Sequence, residues 1–408
     1  MPQPFADRID QLAMVVRDEQ LGRPMLAAER RLFERAGRRE GLVSLTHADT
    51  AVFPPPPTAG PRYADALAAG LNPFVDFLGD PEVRTALAPR LAAFLGAEVD
   101  PLTELALTAG TQNALFAILS VLVGPGDKVL IADPDYMTLE KTLRFLGADV
   151  VSVAARPAEG DGALEMSLAD VEAGFRAGAR LLLFSNPCNP TGTVYGPAFV
   201  AELARLAVEH DAYVLVDELY SRLVYDEGFP HLAAQPGMRE RCITTLGTSK
   251  TESMSGFRVG CVVGPAAVIA VLPEVLEVTA LRASSYAQRT LLDWLGPDAA
   301  FIDERVAILR ELRDLTVKRL REVPGLEVAE PGGTAYVFPR LSGHGLDDFE
   351  VAEALVEDAG VLVYPGLCFG PSGEGGFRLC FGQDPEALPG ILDRTVAALT
   401  RLTSGGAR

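Results

Sequence analysis

The chain has 408 residues and carries 55 acidic against 36 basic side chains, a formal net charge of -19. A field of that sign repels nucleic-acid phosphates and anionic membrane surfaces, so both are disfavoured as partners. Hydrophobic residues make up 48%, yet no uninterrupted apolar run approaches the roughly 20 residues of a membrane span.

The length suits two domains at about 100 to 200 residues each. Cys188, Cys242, Cys261, Cys368 and Cys380 are scattered without paired spacing, as are His47, His210, His231 and His344. This pattern predicts reduced thiols and no metal site. Asp7, Arg8, Asp10 and Arg17 break up any signal-peptide pattern, so the expected setting is cytoplasmic.

In chain order, Pro54-Pro55-Pro56-Pro57 reads as a stiff extended linker. From about Leu105 to Gly264, strand-period and helix-period segments alternate, with strands expected near Leu105, Val129, Val150, Leu181, Val214, Ile243 and Val259. Such alternation predicts a mostly parallel sheet between helices. Thr108 to Leu115 reads as a strand end, a glycine turn at Gly110 and a helix start, where unpaired N–H groups suit an anion. Tyr136 follows the strand Lys128–Ile131.

The run Leu181–Phe184 leads into Ser185-Asn186-Pro187-Cys188-Asn189-Pro190-Thr191-Gly192, whose two Asn-Pro steps hold the backbone extended and aim Asn189 toward a cleft. Tyr213–Val216 is an apolar strand ending on Asp217, a residue that serves equally as a helix cap.

Next comes Gly247-Thr248-Ser249-Lys250, with Arg258 eight residues beyond the lysine. An amine there can take an aldehyde as a Schiff base, and a hydroxyl with a planar guanidinium suits a phosphate dianion, so the run outlines a pyridoxal phosphate site. Helices are expected over Val268–Val278, Asp303–Val323, Phe349–Asp358 and Pro389–Leu402. Short strands are expected at Gly325–Val328, Ala335–Phe338 and Val361–Tyr364, together a small α+β domain. In Gly376-Phe377-Arg378-Leu379-Cys380-Phe381, the lone Arg378 in an apolar strand needs a partner if buried.

Together these segments resemble the class I and II pyridoxal-phosphate aminotransferases of fold type I, the family that includes aspartate aminotransferase. The resemblance implies an α/β large domain with a mostly parallel sheet plus a small α+β domain. The expected division is 1–60 as N-terminal arm and part of the small domain, 61–290 as the large cofactor-binding domain and 291–408 as the small C-terminal domain. It implies Lys250 as the Schiff-base lysine and Asp217 as the partner of the pyridine nitrogen. Tyr220 and Asn189 then bond the ring oxygen, and Tyr136 stacks on the ring. Gly110, Thr111 and Gln112, closed by Ser249 and Arg258, form the phosphate cradle, and Arg378, beside Asn189, receives the substrate α-carboxylate. An amino acid and a 2-oxo acid are the implied substrates, and a homodimer the implied assembly, with Arg282–Tyr286 where partner-chain phosphate contacts occur.

Three positions depart from the family pattern: Phe74 where a tyrosine is common, Ala48 where a glycine is expected, and Gly247 where a serine is common. They leave open a second outcome, a non-transaminating pyridoxal-phosphate enzyme that acts on an unusual amino acid by elimination or replacement, cyclisation, decarboxylation or carbon–carbon bond formation. A regulatory protein that keeps the fold without catalysis is disfavoured by the intact lysine.

Overall fold

In a computed structural model, the described residues are 15–48, 52–71, 74–157, 162–341 and 345–404. Residues 1–14 of the expected N-terminal arm lie outside them, as do Asp49, Thr50, Asn72, Pro73 and His344.

A short strand, β1 (Val43–Ser44), precedes the main sheet. Among the described residues that sheet has eight strands: β2 (Leu105–Thr108), β3 (Lys128–Asp133), β4 (Asp149–Pro157), β5 (Leu164–Met166), β6 (Leu181–Ser185), β7 (Tyr213–Asp217), β8 (Cys242–Leu246) and β9 (Gly260–Val263). Their spatial order is β2-β9-β8-β7-β6-β3-β4-β5. The four central pairings are parallel, whereas β9 runs antiparallel to β2 and β8, and β5 antiparallel to β4.

The seven expected strands are all present. β6 is buried along its whole length, as a strand covered by helices on both faces must be. Each fully buried Leu or Phe there contributes about 1.5 to 3 kcal/mol. Two separate apolar clusters confirm the layering. Leu130, Leu182, Phe184, Val214 and Val216 pack with Val200 and Leu203, while Ile131, Leu183, Leu215 and Ile243 pack with Ile118 and Leu272. Alternate residues of one strand thus feed opposite faces of the sheet. Because β2 and β8 both oppose β9, strands β2, β3, β6, β7 and β8 end on the same edge, where ligands of such sheets bind.

Beyond the sheet lie β10 (Leu326–Glu327), β11 (Tyr336–Val337), β12 (Arg340–Leu341), β13 (Val361–Leu362), β14 (Tyr364–Pro365) and β15 (Phe377–Cys380). The expected strand Val361–Tyr364 is two strands. β13 pairs with β1, while β14 pairs with β15, which also pairs with β11. The expected helix Val268–Val278 is likewise divided into Ala266–Ile269 and Leu272–Glu277. Pro273 has no N–H for an i-4 carbonyl, so it is accommodated only in the first turn of a new helix. The long helix runs Ala299–Leu320, and the helices Asp348–Ala359 and Leu388–Thr403 lie close to their expected bounds.

The N-terminal helix Met25–Arg38 buries Met25, Ala28 and Leu32 in one cluster with Phe349, Leu355, Phe377, Phe381 and Leu392. Arg31 and Arg35 of that helix pair with Glu353 and Glu357 of the helix Asp348–Ala359. Leu45 donates to Leu362 O at 2.8 Å and accepts from Cys380 N at 2.8 Å. These two bonds bring the segment after β1 alongside Arg378.

Candidate active site

At the end of β2, Gly110 turns the chain with φ 85° into the helix Thr111–Leu122. Arg258 approaches that helix start, donating from Nη2 to Ala109 O at 3.3 Å and from Nη1 to Ser255 O at 2.8 Å. A Cβ on Gly110 would lie only 2.5 Å from Arg258 Nη2, so the missing side chain is what lets the guanidinium lie beside the helix start. No carboxylate among the described residues forms an ion pair with Arg258, and the combination of cation and helix N-terminus remains available to an anion.

Gly247 is explained by the same crowding, since its Cβ falls 3.1 Å from Thr111 Cγ2 and 3.3 Å from Gly260 Cα. Gln112 is held by Thr138 Oγ1 at 3.0 Å. Gly110→Ala is expected to push Arg258 away and weaken cofactor retention about tenfold, from a positive-φ alanine plus the lost charge. Equilibrium dialysis of the purified variant measures this.

Lys250 sits on the short helix Thr248–Thr251 that follows β8, with Ser249 buried beside it. It lines a cleft with His47, Phe53, Tyr220, Leu223, Arg305 and Tyr336. The adjacent Thr248 hydroxyl is buried with no partner among the described residues.

The register of β6, β7 and β8 sets Ser185, Asp217 and Thr245 side by side. Asp217 Oδ1 accepts from Thr245 Oγ1 at 2.9 Å and from Leu219 N at 3.3 Å. Burial raises its pKa to about 6, with Glu218 adding to the effect. Asp135, in turn, accepts from Ser185 Oγ at 2.6 Å and Ser185 N at 2.8 Å, and burial, with a smaller contribution from the charge of Asp217, pushes it up to about 7. Two acids kept from water near each other favour a cation between strand ends. Tyr136 follows Asp135 at the start of the helix Met137–Phe145. Burial and then Asp217 raise its phenol.

Arg378 projects from β15 and is buried. Its Nη1 donates to Asn189 Oδ1 and its Nη2 to Thr46 O, both at 2.6 Å, and its Nε is buried without a partner among the described residues. Three rings enclose the guanidinium, with centroids 4.1 Å (Tyr336), 4.8 Å (Phe369) and 5.3 Å (Tyr364) from Cζ. Its hydrogen-bond acceptors are both neutral. A buried cation so held lacks charge compensation among the described residues, and a ligand carboxylate would provide it.

Tyr220 Oη lies 3.1 Å from Tyr336 Oη. Among the residues with no role assigned from the sequence, Tyr336, Tyr364, Phe369 and Thr46 complete the surroundings of Arg378. Arg305, from the long helix, contributes a second buried guanidinium, held by Thr251 O, Ser253 Oγ and Pro54 O. Phe74 is 85% exposed, with Arg282 stacked 5.0 Å from its ring and 4.0 Å from that of Phe77.

A profile of the family Aminotransferase class I and II matches residues 50–394. The chain is 34% identical to the aspartate/prephenate aminotransferase of Thermus thermophilus, across 89% of this chain and 93% of that one. It is 31% identical to aromatic-amino-acid aminotransferase 2 of Thermococcus litoralis, across 90% and 93%. The solved structure of an aspartate aminotransferase from Rhodobacter sphaeroides superposes with a TM-score of 0.85 at 36% identity, covering 88% of this chain and 93% of that one. The chain belongs to the class I and II aminotransferases and has their fold type I architecture. It is a pyridoxal-phosphate-dependent transferase that moves an amino group between an amino acid and a 2-oxo acid.

The residues present fit that cofactor. The helix start beside Arg258, which has no carboxylate partner among the described residues, suits its phosphate, the buried acid at the end of β7 suits its ring nitrogen, and Lys250 opens onto the same cleft. When bound, the cofactor supplies an aldehyde for the amino group and a ring that receives electrons from the α-carbon. Among the described residues no helix is long and apolar enough to cross a membrane.

Proposed function

We propose that Lys250 is both the covalent attachment point of pyridoxal phosphate and the base that moves the substrate's α-proton once its amine is released. Asp217 holds the ring nitrogen's proton by charge, and Tyr136 covers the ring face. Tyr220 and Asn189 donate to the ring oxygen, the latter through the amide nitrogen left over when its Oδ1 accepts from Arg378. Gly110, Thr111, Gln112, Ser249 and Arg258 bind the phosphate. Arg378, with Asn189, binds the α-carboxylate.

The observation that carries this reading is Arg378, a buried guanidinium with neutral acceptors, an unused Nε and aromatic walls. Arg378→Leu removes a charge-assisted pair that contributes roughly 2 to 3 kcal/mol, so KM for amino and oxo acids alike is expected to rise about 30- to 150-fold. Steady-state kinetics with several amino donors is the test, and an unchanged KM contradicts the assignment.

The relatives reported above are named as aminotransferases of aspartate, prephenate or aromatic amino acids. That supports amino-group transfer over the other fates that Phe74, Ala48 and Gly247 left open. The proposed organisation is 1–60 as arm and part of the small domain, 61–290 as large domain and 291–408 as small C-terminal domain. The proposed assembly is a cytoplasmic homodimer, supported by the exposed apolar side chains Phe74 and Val278 and checked by sedimentation equilibrium.

A further inference from the structure

We propose that Tyr336 is a positioning residue that couples carboxylate binding at Arg378 to the hydroxyl of Tyr220. The inference rests on the assignment of Tyr220 to the cofactor's ring oxygen.

Tyr336 touches both groups at once. Its ring centroid is 4.1 Å from Arg378 Cζ, and its hydroxyl oxygen is 3.1 Å from that of Tyr220. The two rings meet edge to face with centroids 5.7 Å apart. The backbone fixes this placement. β11 pairs with β15 so that Tyr336 opposes Cys380, two residues from Arg378, and Tyr336 N donates to Thr334 Oγ1 at 3.0 Å. Arg378 and Cys380 from β15 also act electrostatically on Tyr220, and Lys250 lines the same cleft.

Only one hydrogen lies between two hydroxyl oxygens at that separation, and either can supply it. When Tyr220 donates to an anionic ring oxygen, its own oxygen must accept, so Tyr336 becomes the donor between them. A donor chain of this kind strengthens its terminal bond. The cation on the face of Tyr336 makes its hydroxyl a better donor, and a carboxylate that pairs with Arg378 reduces that help. Occupancy of the carboxylate site is thereby felt at Tyr220, without contact between carboxylate and phenol.

The test uses the holoenzyme and a probe with carboxylates but no amino group, succinate. The pH midpoint of the visible cofactor band is titrated with and without succinate, and succinate affinity is measured separately by calorimetry. Tyr336→Phe keeps the ring and removes the hydroxyl. It is expected to raise the midpoint by about one pH unit, since the anionic ring oxygen loses support. It should also cut the succinate-induced rise to less than about half, while changing succinate affinity less than about twofold.

Tyr336→Leu removes the ring as well and is expected to weaken succinate about tenfold. Equal weakening by the two variants is what a merely structural role gives, and it overturns the proposal. Tyr220→Phe separates the premises. A shift with Tyr220→Phe but none with Tyr336→Phe overturns the coupling and leaves the Tyr220 assignment standing; no shift with either overturns both.

Discussion

Alanine at position 250 is expected to lower amino-group transfer by at least about 10²- to 10⁴-fold, the range associated with losing a positioned proton-transfer group. The variant is also expected to lose the covalent link, so that gel filtration in denaturant strips the cofactor from it after borohydride treatment but not from the parent protein. The physical basis is that Lys250 lines the cleft while its helix neighbours are tied down. Arg305 bonds Thr251 O at 2.9 Å and Ser253 Oγ at 2.9 Å, which fixes the turn just past the lysine. Folding should survive, because Lys250 is exposed to the cleft and packs into no core. Parental activity in Lys250→Ala contradicts the assignment.

Asp217→Asn is the second large effect, expected to cost roughly 10²- to 10³-fold in turnover with the covalent link retained. The amide keeps the shape, and Thr245 Oγ1 can still donate to its oxygen, but the negative charge opposite the ring nitrogen is gone. The same substitution predicts a pH signature in the cofactor-free protein. Burial raises Asp217 from 3.8 to about 6 in the folded chain, so between those values the folded state binds the proton more tightly than the unfolded state. Stability from this group is therefore greatest below about pH 4 and declines until about pH 6. In the Asn variant that decline is absent, so the parent-minus-variant difference in unfolding free energy should fall across the window and stay flat above it. Denaturant titrations at several pH values measure it, and a difference independent of pH excludes a raised carboxyl at this position.

The sheet was legible because its strands are short apolar runs buried on both sides; Leu181–Phe184 and Val214–Val216 announce themselves without any alignment of turns. What a run does not encode is its neighbour. That β9 runs against both β2 and β8 follows from the chain path, and β5, only Leu164–Met166, is too short to carry a period. Of the site, the groups near Lys250 were readable from spacing, since the Lys-to-Arg258 stretch and the turn at Gly110 lie within local sequence.

The aromatic enclosure of Arg378 was not readable. Tyr336, Tyr364 and Phe369 come from separate strands and turns and meet only through the β11-β15-β14 pairing. Ala335-Tyr336-Val337-Phe338 was legible as a strand, but nothing in four residues tells which guanidinium a tyrosine faces. Gly247, an apparent departure from the family pattern, is explained by Thr111 and Gly260 crowding its Cβ.

The central claim is that one lysine holds the cofactor at the ends of these strands. The chain offers four lysines, Lys128, Lys141, Lys250 and Lys318, so borohydride reduction of the holoenzyme followed by proteolysis and mass mapping gives a direct answer. A pyridoxyl phosphate adduct confined to the peptide bearing Lys250 is the predicted result. An adduct on Lys128, Lys141 or Lys318 instead, or no adduct on a protein that still transfers amino groups, contradicts it.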